Sequence, residues 1–365
     1  MNLGAIVWLA LLGPACAPTP LPDGERRVAL QQATEQVILP TYRELDERAR
    51  ELSALLDELH EAPESGDLEV IRQSYFEVRR PLGESQAFAF GPAIELHSTA
   101  AIDQAPVDAA KLDAELEGEA ELTPAHLRTL GANKRGLHAI EYLLFPADDD
   151  QLSATLLEDS ATGSRRRQYL SSAGQIVVDG AAELLAAWEP EQGGYARRFS
   201  EPGEPDSVSA SVQVGLDTLL NEAVFLSEVM ANIKLGKPLG AENGGEVDPT
   251  AQESERSGAS LADLLANLRG VRNVYLGTRD GSQGPSLSSL VQAKSPSTDK
   301  RARDALAAAE AALLAVPEPL TTALLEEPES VSAALEAIKT LKRLLATEVL
   351  GTLGASLKFN DNDGD

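Results

Sequence analysis

The chain has 365 residues and a mass of 38.7 kDa, and this length favours two domains because single hydrophobic cores seldom grow beyond about 250 residues. Hydrophobic residues make up 43% of the sequence and charged residues 24%, which argues against wholesale disorder and against a protein with many membrane spans. The net charge of −27 repels phosphate backbones, so we expect no nucleic-acid partner.

The N-terminus carries the pattern of an export signal. Residues 3–12 form an apolar run of signal-peptide length, too short for a membrane-spanning helix of about 20 residues. Cys16 is the single cysteine, and cleavage before it would leave it available for lipidation. Residues 1–16 are therefore interpreted as a signal peptide with a lipobox and residues 17–27 as a tether. We expect an exported protein in the periplasm or at the outer membrane, held to the membrane by a lipid anchor on Cys16.

The rest of the chain shows helical periodicity. Apolar residues recur at steps of three and four at Leu45, Ala49, Leu52, Leu56 and Leu59. Similar stripes occur within residues 177–188, 216–233, 261–271 and 335–349. The second of these stripes ends on Met230 and Ile233. No stretch alternates as a strand does, and aromatic residues are only 4%, so packing of helix on helix is expected. The sequence predicts an all-α fold.

Glycine and proline accumulate in residues 189–207, which is too interrupted for a helix. We place a domain boundary there, between an N-terminal helical bundle at residues 28–190 and a C-terminal helical bundle at 208–360. Polar stretches at 236–257 and 277–286 predict long loops within the second bundle.

The segment Lys134–Phe145 sets polar groups among apolar ones. His138 and Glu141 are three residues apart, so on a helix both side chains lie on one face and can reach a shared cation or each other. Tyr142 continues this face, and the apolar neighbours predict a buried setting in which each polar group needs a partner. Two interpretations follow from these residues: a structural hydrogen bond between His138 and Glu141, or a metal or substrate site.

The stretch Gly136-Leu137-His138-Ala139-Ile140-Glu141 resembles the Gly-x-His-x-x-Glu signature of imelysin-like proteins, exported bacterial proteins linked to iron acquisition and once classed as peptidases. The resemblance spans roughly residues 28–365. Further matching segments follow in the family's order at residues 79–92, 166–170, 237–239, 253–257 and 359–365. The resemblance implies two helical-bundle domains with the signature helix near the inner surface between them. It also implies that the protein binds iron or another divalent metal, as an ion or a chelate, in iron uptake at the cell envelope.

Residues of the matching segments are the candidate site. The proposed metal ligands are His138 and Glu141. Further proposed ligands are Glu84 and, across the cleft expected between the two bundles, Glu253. Other candidate site residues are Arg79, Ser85, Gln86, Gly136, Tyr142 and Ser254. Arg79 is suited to pair with a carboxylate or an anionic chelator. Gln86 stands where the family usually has Glu, and an amide offers a hard cation one carbonyl oxygen without a charge.

Enzymatic hydrolysis has weaker support. The four histidines of the chain are His60, His97, His126 and His138. They form no His-Glu-x-x-His pair, so the zinc-peptidase pattern is absent. A lone His-x-x-Glu could hold zinc with a distant third ligand, which leaves a metallopeptidase as an alternative. A serine mechanism could be drawn from Ser85, His138 and Glu141. A structural or docking lipoprotein without a metal is the other alternative, favoured by Gln86. The sequence does not identify an envelope transport partner.

Overall fold

The computed structural model describes residues 23–61, 67–146, 155–157, 160–241, 243–282 and 284–357. Across these residues the regular elements are all helical and no strand occurs, which confirms the predicted all-α fold. The part of the chain described contains no helix with the length and hydropathy of a membrane span. The signal segment, Cys16 and the matching segment at 359–365 lie outside the described residues.

The helices of the first half are α1 (Asp23–Ala33), α2 (Leu39–Glu61), α3 (Leu68–Ser85), α4 (Pro92–Glu95), α5 (Ser98–Ile102), α6 (Ala109–Glu117), α7 (Pro124–Thr129), α8 (Leu137–Leu144), α9 (Ala161–Trp188) and α10 (Tyr195–Ser200). Those of the second half are α11 (Val212–Val229), α12 (Ser260–Leu276), α13 (Leu287–Lys294), α14 (Pro296–Leu314), α15 (Leu320–Glu326), α16 (Pro328–Leu344) and α17 (Leu350–Leu353). Short 3₁₀ turns occur at Gln86–Phe88, Ala132–Lys134 and Pro249–Ala251, and π-helical turns at Thr34–Ile38, Met230–Gly236 and Leu345–Val349.

The first half is built around α2, which packs against both α3 and α9. The predicted α2 stripe is buried, as its spacing requires for a helix with one apolar face. Asp67 caps α3 by accepting hydrogen bonds from the backbone N–H groups of Glu69 and Val70, which satisfies donors that the first helical turn cannot pair. Helix α8, which carries the signature, packs on α9 and α3.

The second half is formed mainly by α11, α12, α14 and α16. Helix α1 packs against α11 of this half, although it lies at the start of the first half in sequence. The expectation that residues 189–207 are too interrupted for a helix is wrong, because Tyr195–Ser200 form the short helix α10. The Tyr195 ring lies 4.8 Å from the Trp188 ring. One hydrophobic core of buried residues runs through both halves.

The two halves meet where α3 packs against α12. A Cβ on Gly83 would lie 2.7 Å from Cβ of Ala266, and a Cβ on Gly270 would collide with the backbone of Glu84. Two glycines therefore let the helix backbones approach closely. This contact places the end of α3 beside polar residues of α12.

Candidate functional site

The start of α8 is fixed by a close backbone approach. Gly136 has a φ of +77° and forms an isolated antiparallel bridge with Asp103. A Cβ at Gly136 would collide with the carbonyl group of Ile102, so glycine is required by both the space and the backbone angle. The bridge brings Asp103 beside His138, which lies on the first turn of α8.

His138 is held by acceptors on both ring nitrogens. Nδ1 pairs with the Asp103 carboxylate, and Nε2 lies 2.9 Å from the carbonyl oxygen of Glu253. Burial acts to lower the pKa of His138, but the Asp103 carboxylate outweighs it and raises this pKa to about 9. Burial acts to raise the pKa of Asp103, yet His138 and Arg79 lower it to about 2. At neutral pH the pair is therefore an imidazolium and a carboxylate.

Arg79 joins the two halves of the molecule. Its Nε and Nη2 donate to the Asp263 carboxylate at 2.9 and 2.8 Å, a bidentate ion pair. Its Nη1 donates to the Tyr75 hydroxyl at 3.1 Å and to Asp103 at 3.4 Å. Ser254 Oγ donates to Asp263 at 2.7 Å. The carboxylates paired with Arg79 thus belong to the protein itself.

Lys234 adds a further buried cation. Its Nζ lies 2.7 Å from Oε2 of Glu253 and donates to Oε1 of Gln86 at 3.2 Å. The Gln86 oxygen also accepts from Nδ2 of Asn267 at 3.1 Å. Gln86 therefore faces the same cluster as Glu253.

A π-helical turn explains why Lys234 points inward. The apolar stripe of the sequence ends on Ile233, yet Ile233 is 42% exposed and Lys234 only 9% exposed. Both lie in the π-helical turn Met230–Gly236, where each turn takes more residues than the helical period assumes. The shifted register turns Ile233 towards solvent and Lys234 towards the interior. Such π-helical turns frequently occur at functional sites.

Asp103, His138 and Glu253 form a candidate metal centre. Each offers one ligand atom, and the three atoms lie within 4.8 Å of one another. The adjoining cavity has a volume of about 10 Å³, about the space that one water or one small ion needs. Asn267 also lines this cavity, and its buried Oδ1 has no hydrogen-bond partner in the described ranges. A cation would supply that oxygen with a partner, so the residues present fit a small cation.

The charges of this cluster balance without a metal. The cations are Arg79, His138 and Lys234, and the carboxylates are Asp103, Glu253 and Asp263. An arriving dication must therefore displace positive charge, because a net charge in a buried site is costly. The His138 ring pairs with Asp103 and the Lys234 ammonium pairs with Glu253. The His138 proton and the Lys234 ammonium are therefore the charges that a metal ion would displace.

Glu141 and His138 hold the same loop at different points. Oε1 of Glu141 accepts from the backbone N–H of Ser257 at 2.9 Å and from its hydroxyl at 2.6 Å. The hydrogen bonds of His138 go instead to Asp103 and Glu253. The signature helix thus fastens residues 253–257, a loop of the second half, to the first half.

Three other sequence candidates have partners outside this cluster. Glu84 lies 3.5 Å from Arg269 and 3.3 Å from Arg279. Ser85 donates to the carbonyl of Leu82, within its own helix, at 2.7 Å. Tyr142 donates to Asp113 at 2.7 Å. The structure therefore brings His138, Glu253, Arg79, Gln86 and Ser254 together, and leaves Glu84, Ser85 and Tyr142 elsewhere.

Asp103, Asp263 and Lys234 belong to the cluster but were not expected from the sequence. Asp263 lies beside Leu264 in sequence but about 100° from it around α12, off the apolar stripe, so the stripe did not mark it as buried. Asp103 and Lys234 carried no local signal, because their partners are distant in sequence and Lys234 depends on the π-helical turn.

Comparisons with known proteins agree on one family. The family model of imelysin matches residues 38–347. The chain is 30% identical over 327 residues to "Iron-regulated protein A" of Synechococcus elongatus, covering 88% of this chain and 85% of that protein.

Solved structures share the fold. A protein described as an iron-regulated protein A precursor from Parabacteroides distasonis superposes with a TM-score of 0.81 at 21% identity, covering 93% of this chain and 98% of that one. An imelysin-like protein from Psychrobacter arcticum gives a TM-score of 0.76 at 20% identity, covering 94% of this chain and 100% of that one.

Proposed function

Since the chain belongs to the imelysin family, we propose that it captures iron, or a similar divalent metal, as part of iron uptake at the cell envelope. The observation that carries this proposal is the convergence of Asp103, His138 and Glu253 within 4.8 Å. Imidazole and carboxylate together suit a first-row metal. The name of the Synechococcus elongatus relative supports iron as the metal.

Metal capture at this cluster requires an exchange of cations. The metal takes the place of the His138 proton, because only neutral imidazole can ligate. The Lys234 ammonium must leave Glu253, whose carboxylate it contacts at 2.7 Å. The resulting site would keep Arg79 and Asp263 as a fixed ion pair behind the ligands.

Metal titration of two ligand variants tests the proposal. Calorimetry of metal-free protein with ferrous iron, under anaerobic conditions, or with zinc should give one bound ion per chain. His138→Ala and Glu253→Gln should each abolish this binding, because each removes a ligand. His126→Ala is the matched control, since His126 also pairs with a carboxylate, Glu115, at 3.2 Å. Equal binding by the wild type and both ligand variants would refute the site.

The same cluster supports a second candidate function, a structural lipoprotein without a metal. Arg79, His138 and Lys234 already have carboxylate partners, so the cluster can fasten the two halves unaided. A wild type that binds neither iron nor zinc in the titration would favour this function.

Export and lipid anchoring form a separate part of the proposal. The residue 3–12 run and the single cysteine support it. Mass spectrometry of the mature protein from membranes should find an N-terminal Cys16 carrying acyl chains. Cys16→Ser should move the protein out of the membrane fraction, because the anchor is then lost. An unmodified N-terminus starting at Met1 would contradict both export processing and anchoring.

A further inference from the structure

A second cavity lies beside α8, at the Tyr142 side chain. Its volume is about 630 Å³, within the range of small-molecule sites, and its polar lining includes Asp113, Glu117, Tyr142, Arg165, Arg166 and Arg256. The cavity thus gathers three guanidinium groups in a chain whose net charge is −27.

One of these arginines is structural. Arg165 donates to the backbone carbonyl groups of Leu116, Ala120 and Glu115 at 2.7, 3.0 and 2.8 Å. These bonds fasten the start of α9 to the end of α6 and the turn that follows. Arg165 therefore fixes the cavity wall and leaves the other two arginines to meet a ligand.

Arg166 and Arg256 have no hydrogen bond or ion pair with any residue in the described portions of the chain, and Nε of Arg166 is buried without a partner. Arg256 stacks on Tyr142, with its guanidinium carbon 4.5 Å from the ring centroid. The stacking leaves the edge of the guanidinium group, where its N–H donors lie, free to bind. Two unpaired cations at one cavity, in a strongly acidic chain, point to an anionic ligand.

The acidic residues of the cavity define the ligand further. Asp113 accepts the Tyr142 hydroxyl at 2.7 Å, and burial together with Asp113 raises the pKa of Tyr142, which keeps that hydroxyl protonated. Glu117 also lines the cavity and repels excess negative charge. A ligand with separated carboxylates and a hydrogen-bond donor would match both the arginines and the acidic residues of the cavity.

We propose that this cavity binds a small organic polycarboxylate, with one carboxylate on Arg166 and another on Arg256. The planar guanidinium fork matches a carboxylate through two parallel hydrogen bonds. The binding needs no metal at Asp103, His138 and Glu253. Ligand binding would also hold residues 253–257 in place, since Arg256 lies in this loop, which α8 contacts through His138 and Glu141.

Calorimetric titration with citrate tests this site. The full-length protein is first freed of metal on a chelating resin, so that failure of the metal site cannot affect the result. Citrate should bind once per chain, and Arg166→Gln and Arg256→Gln should each weaken it about ten-fold or more, as expected for the loss of a charge-assisted contact. Arg198→Gln is the matched control, since Arg198 stacks on Tyr195 at 5.6 Å but does not line the cavity.

The proposal would be overturned by no citrate binding, by equal affinity in the wild type and both cavity variants, or by an equal loss in Arg198→Gln. Inorganic phosphate is the comparison anion, and phosphate binding as tight as citrate binding would also reject a polycarboxylate. Arg256 is exposed, so Arg256→Gln should fold normally, and a thermal melt checks this.

Discussion

Asp263→Asn is expected to lower the free energy of unfolding by about 3–5 kcal/mol, the usual cost of removing one partner from a buried ion pair. Arg79 is only 5% exposed and donates two hydrogen bonds to Asp263. Burial acts to lower the pKa of Arg79, but the Asp263 carboxylate and other neighbours raise it well above the ordinary value. Arg79 cannot lose its proton to escape the cost once Asp263 is replaced, because a guanidinium group stays protonated in proteins. Denaturation in urea measures the effect.

Asp304→Asn is the matched control for this loss. Asp304 pairs with Lys300 at 2.6 Å, but their side chains are 60% and 76% exposed. Solvent-exposed pairs contribute little, so the control should change stability by less than about 0.5 kcal/mol. If Asp263→Asn and Asp304→Asn change stability equally, the Arg79 ion pair does not fasten the two halves.

Lys234→Met is expected to tighten binding of ferrous iron or zinc by about ten-fold or more. The ammonium of Lys234 lies 2.7 Å from the Glu253 carboxylate, where it competes with an arriving cation. Methionine keeps an unbranched apolar chain in the buried position and removes the charge. The Glu253 carboxylate is then free to face the metal. Competition titration against a chelator of known affinity measures the change.

Lys237→Met controls for the loss of a positive charge nearby, since Lys237 is exposed and follows the same π-helical turn. It should leave metal affinity unchanged. Unchanged or weaker binding by Lys234→Met would show that the ammonium does not compete with the metal.

The fold was predictable because it depends on a repeated local signal. The α2 stripe, Leu45 to Leu59, is buried as its spacing indicates, since helix packing requires only one apolar face. The apolar pattern gave the wrong orientation for Ile233, because a π-helical turn changes the period and nothing in the pattern reveals that turn.

The site was predictable only in part, because side-chain partners are set by tertiary contacts. Arg79 and Glu84 are close in sequence, but at about 100° per residue they lie about 140° apart around α3. Arg79 therefore meets Asp263 while Glu84 meets Arg269 and Arg279. Asp103 reaches His138 through the bridge at Gly136, a contact between segments that no short motif records.

Anomalous X-ray diffraction at the iron or zinc edge tests the metal site most directly. Crystals of the metal-loaded protein should show one peak within about 2.0–2.5 Å of the ligand atoms of Asp103, His138 and Glu253, with Lys234 turned away from Glu253. A map without a peak there, with the ion pair of Lys234 and Glu253 intact at saturating metal, would contradict the proposed function.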